Sequence, residues 1–231
     1  MRRTFLALTL CSSVSLAACQ SQLDDKPKAE VKDAKATPDS KTDSKPDSKT
    51  DAKGDAPDGK AMAHASTIAK LDKASSSVGF VGAKVTADHE GSFADFDGSL
   101  TLGDDGKATG LEITVKVDSL TTDAPDLTKH LLTADFFDAP SFPESKFVST
   151  AITEKAGDNG ATHEIEGNLT LHGQTKSITF PAKVEVTDAL AKGSAEFKID
   201  RTLWGIVYPG MKDDLIKDEV LLQLNLSFPR G

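Results

Sequence analysis

The chain has 231 residues, with 36 Asp and Glu against 27 Lys and Arg and a formal net charge of −9. That acidity repels phosphate backbones and argues against nucleic acid as a partner. Cys11 and Cys19 are the only cysteines, so no thiol beyond position 19 is available for a disulfide, a thiolate metal site or a nucleophile.

The chain opens on Arg2-Arg3, followed by an apolar run from Phe5 to about Leu16 and then Ala17-Ala18-Cys19. Basic start, short hydrophobic stretch and small residues in that order form a secretory signal over 1–18. The run is shorter than the ~20 apolar residues of a membrane-spanning helix. Leu16-Ala17-Ala18-Cys19 resembles the lipobox of bacterial lipoproteins, which implies cleavage before Cys19 and lipid attachment to its thiol. Buried acyl chains contribute about 0.8 kcal/mol per CH2, and one chain alone holds only marginally, so a stable anchor needs several, palmitate among them. Gln20, where an Asp would favour inner-membrane retention, points to an outer-membrane lipoprotein facing the periplasm or the surface. Arg2-Arg3-Thr4-Phe5-Leu6 also resembles a twin-arginine export signal, and both export routes stay open.

From 19 to 66 the composition is almost entirely Asp, Lys, Ser, Thr, Pro, Ala and Gly. Asp39, Asp43, Asp47 and Asp51 recur every four residues among Lys41, Lys45, Lys49 and Lys53, but Pro38 and Pro46 interrupt and no apolar face exists. Such a run buries too little to offset its ordering entropy, so the expectation is a disordered tether. As a coil it would hold its ends on the order of 35–40 Å apart.

From 67 to 231 the texture is that of a folded domain, about 165 residues with 26 Asp and Glu against 16 Lys and Arg. Leu111, Ile113, Val115 and Val117 alternate with Glu112, Thr114, Lys116 and Asp118. The same period of two runs through Ile165–Leu171, Ile178–Val186, Phe197–Ile199 and Val220–Phe228. It predicts strands with one buried and one wet face. Gly103-Asp104-Asp105-Gly106, Gly157-Asp158-Asn159-Gly160 and His172-Gly173-Gln174 supply turns. About eight strands joined by tight turns imply antiparallel neighbours, and closing them into a barrel removes the exposed edges. An immunoglobulin sandwich is disfavoured because its Cys…Trp…Cys core cannot be built.

Pro125 to Ala134 breaks the rhythm and reads as a short helix, with Asp123 as its cap and Leu127 and Leu131 on one face. It leads into Asp135-Phe136-Phe137-Asp138-Ala139-Pro140-Ser141-Phe142-Pro143, an aromatic segment placed to act as a lid. Ten of the eleven Phe residues lie in this domain, where a solid core is the alternative to a lined cavity.

Five blocks then carry a resemblance: Leu71–Phe80, His89–Gly98, His130–Asp138 with Pro143 and Phe147, Gly167–Thr175, and Arg201–Ile206. In that order they resemble the YceI-like family of bacterial lipocalin-like proteins over about Ala69 to Phe228. The resemblance implies an all-β, eight-stranded antiparallel lipocalin-like barrel whose apolar cavity holds a polyisoprenoid or another long-chain lipid, quinone-type molecules included. No resident cofactor is implied. Ser75 and Trp204 depart from the commoner His and Phe of the family and bear on the head-group end of the ligand. The candidate enclosure is Phe80, Phe96, Leu127, Leu131, Phe136, Phe137, Phe142 and Trp204, with His130 at even odds between a ligand head-group contact and a structural bond. Expected partners are the lipid and, through Cys19, the membrane; a homodimer stays open.

An enzyme is the lesser reading. No Gly-x-Ser-x-Gly, Walker or Rossmann pattern occurs. His64, His89, His130, His163 and His172 show no metal-ligand spacing, although distant histidines could still assemble a site. A solid structural or adhesive envelope module is the other alternative. The tether reading makes one prediction: deleting Pro38 to Lys53 should leave the thermal midpoint unchanged in a melting experiment. A drop of several degrees would mean that this stretch packs on the domain.

Overall fold

Alternation of period two dictates how the chain organises, because each strand has one apolar face to hide. The computed structural model describes residues 21–35 and 66–230. Its strands, in chain order, are β1 (Glu30–Asp33), β2 (Thr67–Lys70), β3 (Ser77–Lys84), β4 (Asp88–Phe93), β5 (Phe96–Leu102), β6 (Ala108–Lys116) and β7 (Leu120–Thr122). Helix α1 (Pro125–Leu131) follows, then β8 (Glu144–Glu154), β9 (His163–Leu171), β10 (Gln174–Val186), β11 (Leu190–Asp200), β12 (Gly210–Met211) and β13 (Asp214–Pro229). Together they make an all-β, strongly curled antiparallel sheet with one short helix, ordered β2-β5-β6-β8-β9-β10-β11-β13-β3-β4-β7.

Two bends, together with the short strands β1, β2 and β12, explain why the strand count exceeds the eight expected. β4 and β5 are parts of one run separated only by Ala94 and Asp95, and a short 3-10 turn at Val117–Ser119 likewise divides β6 from β7. β4 pairs with β7 while β5 pairs with β6, so the two bent runs stay together through their bends. The bends are held by backbone bonds from Ala94 N–H to the Ser119 carbonyl and from Lys116 N–H to the Asp95 carbonyl.

The expected turns form as their residues demand. His172 (φ 48°) and Gly173 (φ 71°) are both left-handed, which gives the two-residue hairpin between β9 and β10 the twist of its strands. Gly173 is required for a second reason: a Cβ there would sit 2.4 Å from the Phe142 ring. Helix α1 starts with Pro at its first turn but ends at Leu131, three residues short of the sequence expectation. Asp123 does not cap it. Its carboxylate is taken instead by His89 Nδ1 at 3.1 Å, and the N-cap position falls to Ala124.

The main correction concerns the tether. Residues 21–35, expected as part of a disordered spacer over 19–66, are ordered against the domain. β10 and β11 pair only over 183–186 with 191–194, and then part. β1 fills the opening by pairing antiparallel with β10, Glu30 opposite Thr179 through Asp33 opposite Lys176. Just before it, Ala29 N–H donates to the Lys198 carbonyl at 2.9 Å and Lys198 N–H to the Pro27 carbonyl at 2.8 Å. The strap thereby pairs the β10 edge over 176–179 and meets the β11 edge at Lys198, where an apolar interior behind them calls for backbone partners.

Side chains fasten this strap. Leu23 is 2% exposed and packs with Val81, Ala83 and Leu221 on the outer face of the sheet. Lys26 pairs with Glu196, Lys28 with Glu219, and Lys35 with Glu166. The donated hydrogen bonds of these lysines, with Lys198 adding to that of Lys28, hold all three carboxyls below the usual carboxylate range. Asn168, nearly buried, accepts from Lys35 N–H and donates to its carbonyl. The signal segment with Cys19, and residues 36–65, lie outside the described residues.

A test of the strap follows from Leu23. Leu23→Ala should cost roughly 2 kcal/mol in a urea unfolding experiment, the low end for a buried leucine. An unchanged midpoint would show that the strap does not contribute to stability.

Candidate functional site

The inward positions of the curled sheet do not fill it. They surround an apolar cavity of about 220 Å3. Its wall draws on nine of the thirteen strands, from Val78 and Phe80 of β3 to Leu222, Leu224 and Leu226 of β13. Two aromatic groups shape it. Phe147, Phe180 and Phe197 form one, with the Phe180 and Phe197 rings stacked at 4.0 Å. Phe80, Phe93 and Phe137 form the other, at centroid distances of 5.8–6.3 Å, with the Phe93–Phe137 pair near perpendicular at 87°. Gly91 permits the second group, because a Cβ there would meet the Phe80 ring at 2.2 Å.

Helix α1 and the segment after it cover the end of this cavity where β3 finishes and β4 starts. Leu127 and Leu131 of α1 line it, as do Phe136 and Phe137 just beyond. Phe136 N–H bonds to the Thr133 carbonyl and Phe137 N–H to the Leu131 carbonyl, which folds the aromatic segment back over the helix. Ile206, from the loop between β11 and β12, completes the cover. That loop is clipped by Arg201, which is 4% exposed. Arg201 donates from Nη1 to the Ile206 carbonyl at 2.6 Å and from Nε to the Lys217 carbonyl at 3.2 Å, and it approaches Asp218. Burial draws its affinity for the proton down, with Asp218 and Asp200 opposing.

Of the enclosure residues named from the sequence, Phe80, Leu127, Leu131, Phe136 and Phe137 stand on the cavity wall. The others are buried or engaged elsewhere. Phe96 is core on the far side of its strand bend, 5% exposed and off the wall. Phe142 packs edge-on to His172 at 4.7 Å, outside the cavity. Trp204 is fully buried, its indole N–H donating to the Leu169 carbonyl at 3.1 Å, and it supports the wall from behind. His130, weighed for a ligand head-group contact, points away from the cavity. Its Nε2 meets Asp135 at 2.8 Å and its ring lies edge-on to Phe136 and Tyr208. His172, read as a turn residue bonded to backbone, donates from Nδ1 to the Trp204 carbonyl at 3.1 Å.

Sequence reasoning missed the polar rim. His89 and Lys84 line the covered end of the cavity; His89 is held by Asp123 and Lys84 by Asp214 at 3.2 Å. Strand parity could have found His89, since it shares a face with Gly91 and Phe93. The remaining charged wall residues are Lys192 and Arg201, so among the described residues no carboxylate lines the cavity. Nor, among them, do three or more His, Cys, Asp or Glu come together where they could hold a metal ion.

The chain is thus an all-β protein whose curled antiparallel sheet surrounds an apolar space, covered at one end by a short helix and an aromatic segment. The YceI-like domain matches residues 70–228, and the chain belongs to that family. A UPF0312 protein of Pseudomonas putida (strain W619) is 39% identical over 128 residues, covering 52% of this chain and 65% of that protein. Protein YceI of Salmonella arizonae is 38% identical over 95 residues, 41% of this chain and 48% of that one. The matched stretch thus spans less than two thirds of either relative's length. Among solved structures, Burkholderia cenocepacia BcnA superposes with a TM-score of 0.59 at 25% identity, over 68% of this chain and 98% of its own. A polyisoprenoid binding domain from Saccharophagus degradans shares the fold with a TM-score of 0.56 at 13% identity, over 73% of this chain and 99% of its own.

Proposed function

We propose that this chain is an envelope lipoprotein that encloses a long apolar lipid, an isoprenoid or a similar amphiphile, and does no chemistry on it. On this reading the curled sheet works as a closed eight-stranded lipocalin-like barrel and the α1 segment as its lid. The observation that carries the reading is the apolar cavity itself. An engineered apolar cavity of about 150 Å3 stays dry and binds benzene. At about 220 Å3 and lined by Phe, Leu, Ile and Val, this one is about half as large again. Each five-carbon isoprenoid unit buried there would contribute about 4 kcal/mol, at about 0.8 per CH2-sized group and before ordering costs. Burial of this size needs no charged contact. The absence of a carboxylate among the described wall residues, beside Lys84, His89 and Arg201 at the covered end, suits a neutral or anionic head group. The Saccharophagus domain of the same fold is described as polyisoprenoid binding, which agrees with this ligand class.

Leu131 gives the test. Leu131→Trp places a bulkier side chain on the cavity wall under the lid, and it should lower the lipid recovered by organic extraction several-fold while the protein still melts cooperatively. An unchanged lipid yield from a folded variant would place the ligand elsewhere.

Anchoring at Cys19, in the outer membrane, completes the proposal. It rests on the order Arg2-Arg3, apolar run, Leu16-Ala17-Ala18-Cys19-Gln20. Cys19→Ser should abolish incorporation of labelled palmitate in the native host. Label that persists on the variant would refute the anchor.

A further inference from the structure

Six large apolar side chains stand exposed among the described residues, and five of them, Val85, Leu203, Val207, Met211 and Leu215, lie at the covered end of the sheet. Val85 tips the turn between β3 and β4, and its N–H bonds to the Leu215 carbonyl. Met211 pairs with Asp214 across the β12–β13 hairpin. Val207 flanks Tyr208, whose ring touches His130 and Phe136 of the lid segment. Val85 is 73% exposed and Met211 75%, too open to be core and grouped where the cavity has its lid. Only Ile68 lies at the opposite end, paired with Thr101 next to the turn that joins β5 and β6. Single exposed apolar residues are ordinary, but a group of them at one pole is the mark of a contact surface.

The strap says what that surface meets. Ser21 Oγ donates to Asp88 at 2.9 Å, and Gln22 bonds to Asp88 through its backbone N–H and to Glu90 through its side chain. Asp88 begins β4, three residues past Val85, so the chain is fastened at the same pole. Two residues of extended chain reach at most about 7 Å, which puts the Cα of Cys19 within that distance of the Cα of Ser21. The Asp/Lys/Ser-rich run 36–65 therefore joins two points on the domain instead of separating it from the anchor. Charges near the apolar tips are mixed, Lys84, Lys212 and Lys217 beside Asp213, Asp214 and Asp218, and the domain is acidic as a whole. Attraction to anionic lipid cannot hold such a face, whereas apolar insertion can.

We propose that this pole lies directly against a phospholipid bilayer, with Val85, Val207, Met211 and Leu215 entering the acyl boundary and the covered end of the cavity facing the membrane. The inference rests on acylation at Cys19 as the natural anchor. It turns that anchor from a long leash into a short mount, and it lets a ligand pass between bilayer and cavity without crossing water.

The test imposes the anchor chemically, so it does not depend on acylation in the cell. The chain from Cys19 onward carries every described residue and one thiol. It is coupled through Cys19 to maleimide-lipid vesicles of phosphatidylcholine with brominated acyl chains. Val85→Trp, Met211→Trp and Ile68→Trp are compared, with the emission of buried Trp204 subtracted from the parent chain. All three sites are more than half exposed, so the substitutions leave the core untouched. Bromine quenching of the tryptophans at 85 and 211 should exceed that at 68 several-fold. Equal quenching at all three, stronger quenching at 68, or none at any while the protein floats with the vesicles would overturn the orientation. Failure of palmitate labelling in the host would instead sink the natural anchor and leave the quenching result standing.

Discussion

An apolar interior cannot satisfy a backbone N–H or carbonyl, so the strands that curl around it must satisfy one another along their edges. Most of the structure follows from that requirement. The bent runs of β4–β5 and β6–β7 keep their pairing through both bends. β13 pairs along β11 and β3 on its two sides. The weak point is the divergence of β10 from β11, and the segment from Pro27 to Asp33 occupies it. The strap is therefore part of the wall, and Ala29 and Val31 belong to the same apolar cluster as the sheet interior.

With the strap built into the wall, the interior can be left open. Its inward residues are large enough to line a space and too few to fill it, and the lid segment closes one end through Leu127, Leu131, Phe136 and Phe137. The polar groups near that end are committed to holding the cover: Arg201 to the loop carrying Ile206, His130 to Asp135, and His89 to Asp123.

Much of this was legible in the sequence, because period-two alternation reports which side of a strand is buried. The strands carrying Leu111–Val115, Ile165–Leu171, Ile178–Phe180 and Val220–Phe228 were readable in this way, as were the His172-Gly173 turn and the helix beginning at Pro125. What alternation cannot report is the destination of a side chain outside a strand. Phe142, Trp204 and His130 sit in loops or at the end of α1, where an aromatic ring can pack behind the wall as easily as line it. The strap was illegible for a different reason. Leu23, Ala29 and Val31 are three apolar residues in a run of Asp, Lys and Glu, too few to fold alone. Ala29 and Val31 are ordered because a gap waits between β10 and β11, and Leu23 because it packs on Val81, Ala83 and Leu221.

The most direct measurement is a crystal structure of the protein soaked with a long-chain isoprenoid alcohol. The account predicts continuous extra density inside the sheet, running from the Phe147–Phe180–Phe197 group toward Phe80 and Phe137, with the lid in place over its end. A cavity that stays empty under saturating ligand, or density confined to the outer surface, would contradict it.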